Sequence, residues 1–198
     1  MLYKCLGRPC TSAANPAAAS SVANCSRAAS TLRALGVGLC LGDAELAEED
    51  GRTRHFNTAI TVDKTGAIVA RYRKIHLPGH DEQEPWQHVQ HLQKRSYEAG
   101  NLGLSAFRAS FGDGKSGIFG MANCNDRHWS ETYRVLGLQG FEMILIGYNT
   151  PVHNPPPVHN KPAPAHDALS HLHNQFVMQS GACQNGTWVV GVAKAGNE

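Results

Sequence analysis

Cys124 ends the apolar run "GIFGMANC" and is followed at once by Asn, Asp, Arg, His and Trp. A structural cysteine usually lies inside an apolar stretch. This one stands where a strand stops and a turn into a helix begins. A helix starting there turns its positive N-terminal end toward the sulfur, which favours a thiolate. Backbone N–H groups in the turn could hold an oxyanion. A small apolar side chain that closes a strand fits the same position equally well. Lys74 ends another predicted strand in "RYRKIHLPG". Alone it is a solvated strand end; beside a nucleophilic cysteine it would stabilise thiolate or tetrahedral-intermediate charge. His76 and His91 either hydrogen-bond a substrate or pack beneath a loop.

The histidines at 153, 159, 166, 171 and 173 invite a metal reading. His171 and His173, two apart on a helix, do not face one another. His166 and His173 share a face but stand two turns apart. No HExxH or Cys/His zinc spacing occurs, so no metal is assigned.

The elements that must position these residues follow from pattern. "LGVGLCLGDAEL" reads as a helix end and a short buried strand over about 36–42. Two β-branched runs, about 56–62 and 67–73, flank Asp63-Lys64-Thr65-Gly66 and predict a hairpin. A short helix ends near Gly100. "SGIFGMANC" is a strand, and a helix follows with Ser130 as its cap and Gly140 as its stop. "EMILIGYN" has the continuous apolar character of a buried parallel strand. Beyond a proline-rich loop comes a helix whose apolar positions 169, 172, 176 and 183 share one face. "TWVVGVAKAG" is a last strand. Alternating β and α in the second half predicts a mostly parallel α/β sheet.

Composition narrows the class. A chain of 198 residues suffices for one domain, and 41% hydrophobic with 17% charged residues is ordinary for a soluble protein. A net charge of +2 argues against nucleic acid or a membrane surface as partner. No apolar run reaches the roughly 20 residues of a spanning helix. The cysteines, at 5, 10, 25, 40, 124 and 183, form no CxxC pair, and a reduced, cytoplasmic setting is expected. Residues 1–30 are rich in Ala and Ser and lack acidic residues, as organelle transit peptides do. They show no regular arginine face and are read instead as poorly ordered or non-homologous, with a single domain over 31–198.

Taken together, "RYRKIHLPGH", "MANCNDRHWSETYRVLGLQG", "GYNTPVHNPP" and "QSGACQNGTW" resemble the nitrilase, or carbon–nitrogen hydrolase, superfamily, and within it the branch acting on N-carbamoyl-D-amino acids. The likeness runs from about 31 to 197, in order. It implies a partial α-β-β-α sandwich, incomplete at both ends, that assembles into homo-oligomers. It implies no metal or organic cofactor. The substrate implied is a small carbamoyl or amide compound, hydrolysed through a cysteine nucleophile and an acyl-enzyme. For an N-carbamoyl-D-amino acid the products are the D-amino acid, ammonia and carbon dioxide. By matching position, Cys124 is similar to the family nucleophile and Lys74 to its lysine. Asn125 and Arg127 match substrate-carboxylate positions, and Arg127 suits bidentate pairing. His76, His91 and His173 match histidines near the site. Asn149 and Thr150 match a pocket-lining strand end.

The sequence departs from the family in its acids. The family's general-base Glu lies well upstream of the lysine, whereas here no acidic residue precedes Asp43. Glu45 matches a non-catalytic family segment and is not assigned the role. A second family glutamate is Gln93 here, in "QHLQKR". His128 stands where relatives often carry another Arg. The chain is therefore expected to be a thiol hydrolase of the carbamoylase type or an amidase or β-ureidopropionase-like enzyme. The rival expectation is an inactive fragment or pseudoenzyme without its general base.

Overall fold

The computed structural model describes residues 30–84, 90–112, 114–150 and 166–193. Strands β1 (Leu39–Glu49) and β2 (Arg52–Val62) pair antiparallel along their whole length, from Leu39 opposite Val62 to Glu49 opposite Arg52. Their link is Asp50-Gly51, with φ of +55° and +73°. That left-handed pair is what a tight two-residue hairpin requires. β1 is therefore longer than the strand expected at 36–42: its second half, rich in Glu, is held by pairing rather than by apolar character. The expected hairpin onto β3 (Ile68–Arg73) is present. Asp63 closes its turn, its Oδ1 accepting the N–H groups of Thr65 and Ala67 at 2.8 and 3.0 Å.

The second sheet runs in the order β4 (Phe107–Gly112), β5 (Lys115–Asn123), β6 (Met143–Tyr148), β7 (Trp188–Ala193). β4 and β5 are antiparallel, while β5–β6 and β6–β7 are parallel. The parallel pairing expected of the second half is thus present, with β4 as an antiparallel edge. Short links force antiparallel pairing, and parallel pairs arise only where a helix supplies the crossover. The two crossovers are α1 (Ser130–Leu138) and α2 (His166–Asn185).

The layers are α-β-β-α. Residues 30–35 are helical, and Leu32 packs on Leu41, Ile60 and Val62 of the first sheet. Ala59 and Tyr72 meet Met121 between the sheets. On the far side Tyr133 and Leu136 of α1 pack on Ala122, Ile144 and Ile146. Burying a side chain such as Leu136 contributes about 1.5–3 kcal/mol. The approach of α1 to β5 is close: a Cβ on Gly120 would lie 2.6 Å from Leu136 Cδ1.

Two expectations about the helices change. Ser130 is the first helical residue rather than the cap, and its hydroxyl donates to Glu131 at 3.2 Å; Trp129 holds the cap position. The stripe at Leu169, Leu172, Phe176 and Cys183 lies on one face of α2, but all four side chains are exposed. α2 turns the opposite side inward, where Asn174 is buried and Gly181 meets the ring of Tyr133.

Candidate active site

Cys124 directly follows β5 and opens a 3₁₀ turn, Cys124–His128. Its φ is +49°, a left-handed conformation that a side chain with Cβ rarely adopts. Strain of this kind lifts a side chain out of the strand direction, as a nucleophile requires. The turn is held by its own residues. Arg127 Nη1 donates to the Cys124 carbonyl at 2.7 Å. The N–H of Asn123 donates to Asp126 Oδ2 at 2.9 Å.

Lys74 follows the last residue of β3 and is fully buried. Its Nζ donates to Gln93 Oε1 at 2.8 Å. Amides connect this acceptor back to the cysteine turn: Asn57 Nδ2 donates to Gln93 Oε1 at 3.4 Å, and Asn123 Nδ2 donates to Asn57 Oδ1 at 3.2 Å. Burial lowers the Lys74 ammonium below its ordinary value, and the neighbouring charges of Cys124 and Asp126 oppose that fall. Burial also works against the Cys124 thiolate. The Lys74 charge, the Thr150 hydroxyl, the Asn149 backbone and Arg127 outweigh it, so the thiol lies below its ordinary value. Thr150 Oγ1 is 3.6 Å from the sulfur.

The structure therefore brings Cys124, Lys74, Arg127, Asn149 and Thr150 together. Arg127 is buried to 0% exposure and serves the protein itself, donating to Thr150 Oγ1 at 3.1 Å and to Asn174 Oδ1, with its guanidinium 4.4 Å from the Tyr148 ring centroid. Asn125 donates from Nδ2 to the His76 carbonyl at 3.1 Å. The His76 ring stacks on Trp129 at 5.1 Å and lies 2.9 Å from Asp126 through Nδ1. His76, Asn125 and Trp129 line a 610 Å³ cleft together with Arg54, Asp81 and Lys94; Cys124 and Lys74 are not among its lining residues.

The other two histidines are exposed. The His91 carbonyl accepts the His80 N–H at 3.0 Å. His173 tilts against His128 with ring centroids 5.1 Å apart. Burial, with Arg127 and His173 nearby, lowers His128 to about 4, so it is neutral at pH 7. Glu45 is buried, and its oxygens are filled by Thr58, Arg71 and Arg73.

Sequence reasoning passed over Asp126 and Asn174, both buried. Asp126 had a signal: Asn123 and Asp126 stand at the spacing of reciprocal capping residues. A buried Asn on an otherwise amphipathic helix, as at Asn174, has none.

The carbon–nitrogen hydrolase family model matches residues 1–198. A citrullinase from Francisella tularensis subsp. tularensis is 28% identical over 142 residues, which are 72% of this chain and 42% of that protein. An N-carbamoylputrescine amidase from Arabidopsis thaliana is 30% identical over 98 residues, or 49% of this chain and 28% of that one. The chain thus spans less than half the length of either relative. A carbon–nitrogen hydrolase from Helicobacter pylori G27 superposes with a TM-score of 0.70 at 19% identity, covering 89% of this chain and 53% of its own. An amidase from Nesterenkonia sp. gives 0.62 at 17% identity, covering 91% and 56%. At these identities the two structures establish the fold: that of the nitrilase superfamily, an α/β sandwich.

Proposed function

The chain belongs to the carbon–nitrogen hydrolase family, and from that premise we propose that it hydrolyses a non-peptide C–N bond through Cys124. The observation that carries this is the strained, strand-end Cys124 with the buried charge of Lys74 beside it. The thiolate attacks the carbonyl carbon of an amide or carbamoyl group. Lys74 and backbone N–H groups of the turn stabilise the oxyanion. Ammonia leaves as its nitrogen takes a proton from solvent; water then attacks the acyl carbon, the C–S bond breaks, a proton returns to solvent and the Cys124 thiolate is restored.

For the substrate we favour an N-carbamoyl-D-amino acid, giving D-amino acid, ammonia and carbon dioxide. The support is sequence likeness in the four motifs around Lys74, Cys124, Asn149 and the end of α2. In this reading Asn125, Arg127, His76, Asn149 and Thr150 line the pocket, and His91 and His173 enter only if substrate draws them in. Relatives named for citrulline and N-carbamoylputrescine make those the first competing substrates, with a simple amide third. The resemblance further supports a homo-oligomer without a cofactor, and the cysteine spacing supports a cytoplasmic setting.

One observation favours a second reading, a catalytically inactive chain. The acceptor on Lys74 is Gln93, an amide that cannot take a proton, and the charged groups felt by Lys74 are Cys124, Asp126 and Arg127. Ammonia release from N-carbamoyl-D-amino acids, citrulline, N-carbamoylputrescine and a simple amide separates the two. Release by the folded chain that vanishes in Cys124→Ala supports the hydrolase. No release from any of the four supports the inactive chain.

A further inference from the structure

We infer that Asp126 is a positioning residue: the fixed negative charge that keeps Lys74 cationic against Cys124, where Gln93 supplies only an amide. The inference rests on Cys124 being the functional thiol, as proposed above, but not on the chain turning over any substrate.

Three observations carry it. Asp126 and Lys74 are both fully buried, at 0% and 1% exposure, and Asp126 acts electrostatically on Lys74. An isolated ammonium there would lose its proton rather than remain charged without a counter-charge. Next, the hydrogen-bond acceptor on Nζ, Gln93, is neutral. Finally, Asp126 is locked in place by its donors. Its oxygens accept the N–H of His76 at 2.9 Å and of Asn123 at 2.9 Å, and the His76 ring at 2.9 Å. One carboxylate thereby ties the segment after Lys74 to the turn that holds Cys124.

The charged and titratable groups around it come from each packed element. Tyr72, Lys74 and His76 lie on β3 and the segment after it. Cys124, Arg127 and His128 come from the turn, and α2 contributes His173 against His128. Burial and Asp126 keep the Tyr72 phenol protonated. Arg127 opposes the Lys74 charge. Asp126 is thus the carboxylate that acts on Lys74 in this set.

The test is the pH profile of Cys124 alkylation by iodoacetamide, read on the Cys124 peptide by mass spectrometry in the full-length chain. Asp126→Asn keeps the shape and removes the charge. The expected result is a half-labelling pH raised by about one unit or more, the usual size of a nearby-charge effect. Gln93→Glu in the same background restores a carboxylate at Nζ and is expected to reverse most of the shift. Circular dichroism confirms the fold in each case. An unchanged profile in folded Asp126→Asn, or a shift that Gln93→Glu leaves in place, overturns the inference.

If Asp126→Asn does not fold, Gln93→Glu alone decides. With Asp126 already serving Lys74, the added carboxylate changes the half-labelling pH by less than about half a unit; a full unit or more shows that Lys74 lacked its counter-charge and overturns the inference. The ammonia assay fails or succeeds independently, because labelling reads the thiol without turnover.

Discussion

Arg73 and Lys74 are neighbours in sequence and both are buried, yet they sit in opposite electrostatic surroundings. Successive residues on a strand point to opposite faces, so one cation faces β1 and the other faces the cysteine turn. Arg73 gives two hydrogen bonds to Glu45, at 2.9 and 2.8 Å, and others to Glu49 and Asn101, and lies over the Phe56 ring at 4.0 Å. Burial pushes the Glu45 carboxyl up, but Arg73, Thr58 and Arg71 more than offset it and hold it below its ordinary range. Lys74 has the neutral Gln93 as its hydrogen-bond acceptor, with Cys124 and Asp126 as opposite charges and Arg127 as a like charge nearby. A cation matched by carboxylates in bidentate geometry is structure. A cation matched by an amide leaves its field available to a thiolate or an oxyanion. Two adjacent residues thus separate what holds the first sheet together from what would do chemistry.

That contrast is open to direct attack. The largest effect is expected for Glu45→Ala, which takes the bidentate carboxylate from the buried Arg73 and leaves it Glu49 as its remaining carboxylate partner. Urea unfolding should show a loss of about 3–5 kcal/mol, with the Cys124 labelling profile unchanged under folding conditions. A loss below about 1 kcal/mol would make the Glu45–Arg73 pair no better than a surface one. Lys74→Met should do the reverse. Stability should fall less than in Glu45→Ala, because Asp126 keeps its donors from His76 and Asn123, while the Cys124 labelling midpoint climbs by roughly one pH unit or more.

The smallest effect concerns His128. Its value in the fold is about 4, against an ordinary 6.5. Between those two the unfolded chain binds more protons, so stability is full above 6.5 and falls as the pH drops toward 4. His128→Gln removes that contribution, and the difference in melting temperature between pH 7 and pH 4 should narrow relative to wild type.

Much of this was legible in the residues, for identifiable reasons. The Asp63–Gly66 hairpin and the turn at Cys124 announce themselves because apolar runs end abruptly at turn-forming or polar residues. Asp50-Gly51 carries an equally good turn signal, but charged flanks concealed the strands on either side. Those charges are Glu45, Glu49, Arg54 and their partners, paired with one another on the sheet, and pairing of that kind has no sequence period. Among the site residues, Lys74 and Cys124 could be named from their strand ends. Asp126 could not be ranked, because its importance lies in reaching His76 from another part of the chain. The stripe on α2 shows the opposite failure. Its period is helical and correct, but period alone does not say which side of a helix meets the sheet.

The most direct test compares three cysteines within one molecule. Cys124 is partly buried beside Lys74, Cys183 is exposed, and Cys40 is pushed up by burial to about 11. Site-resolved iodoacetamide labelling of the folded chain from pH 5 to pH 10 reads all three at once. If Lys74 activates the thiol, Cys124 labels at a lower pH than the exposed Cys183, and Cys40 stays protected. If Cys183 labels first and Cys124 follows only at the pH of an ordinary thiol, the buried charge does not activate Cys124, and the mechanism built on it is wrong.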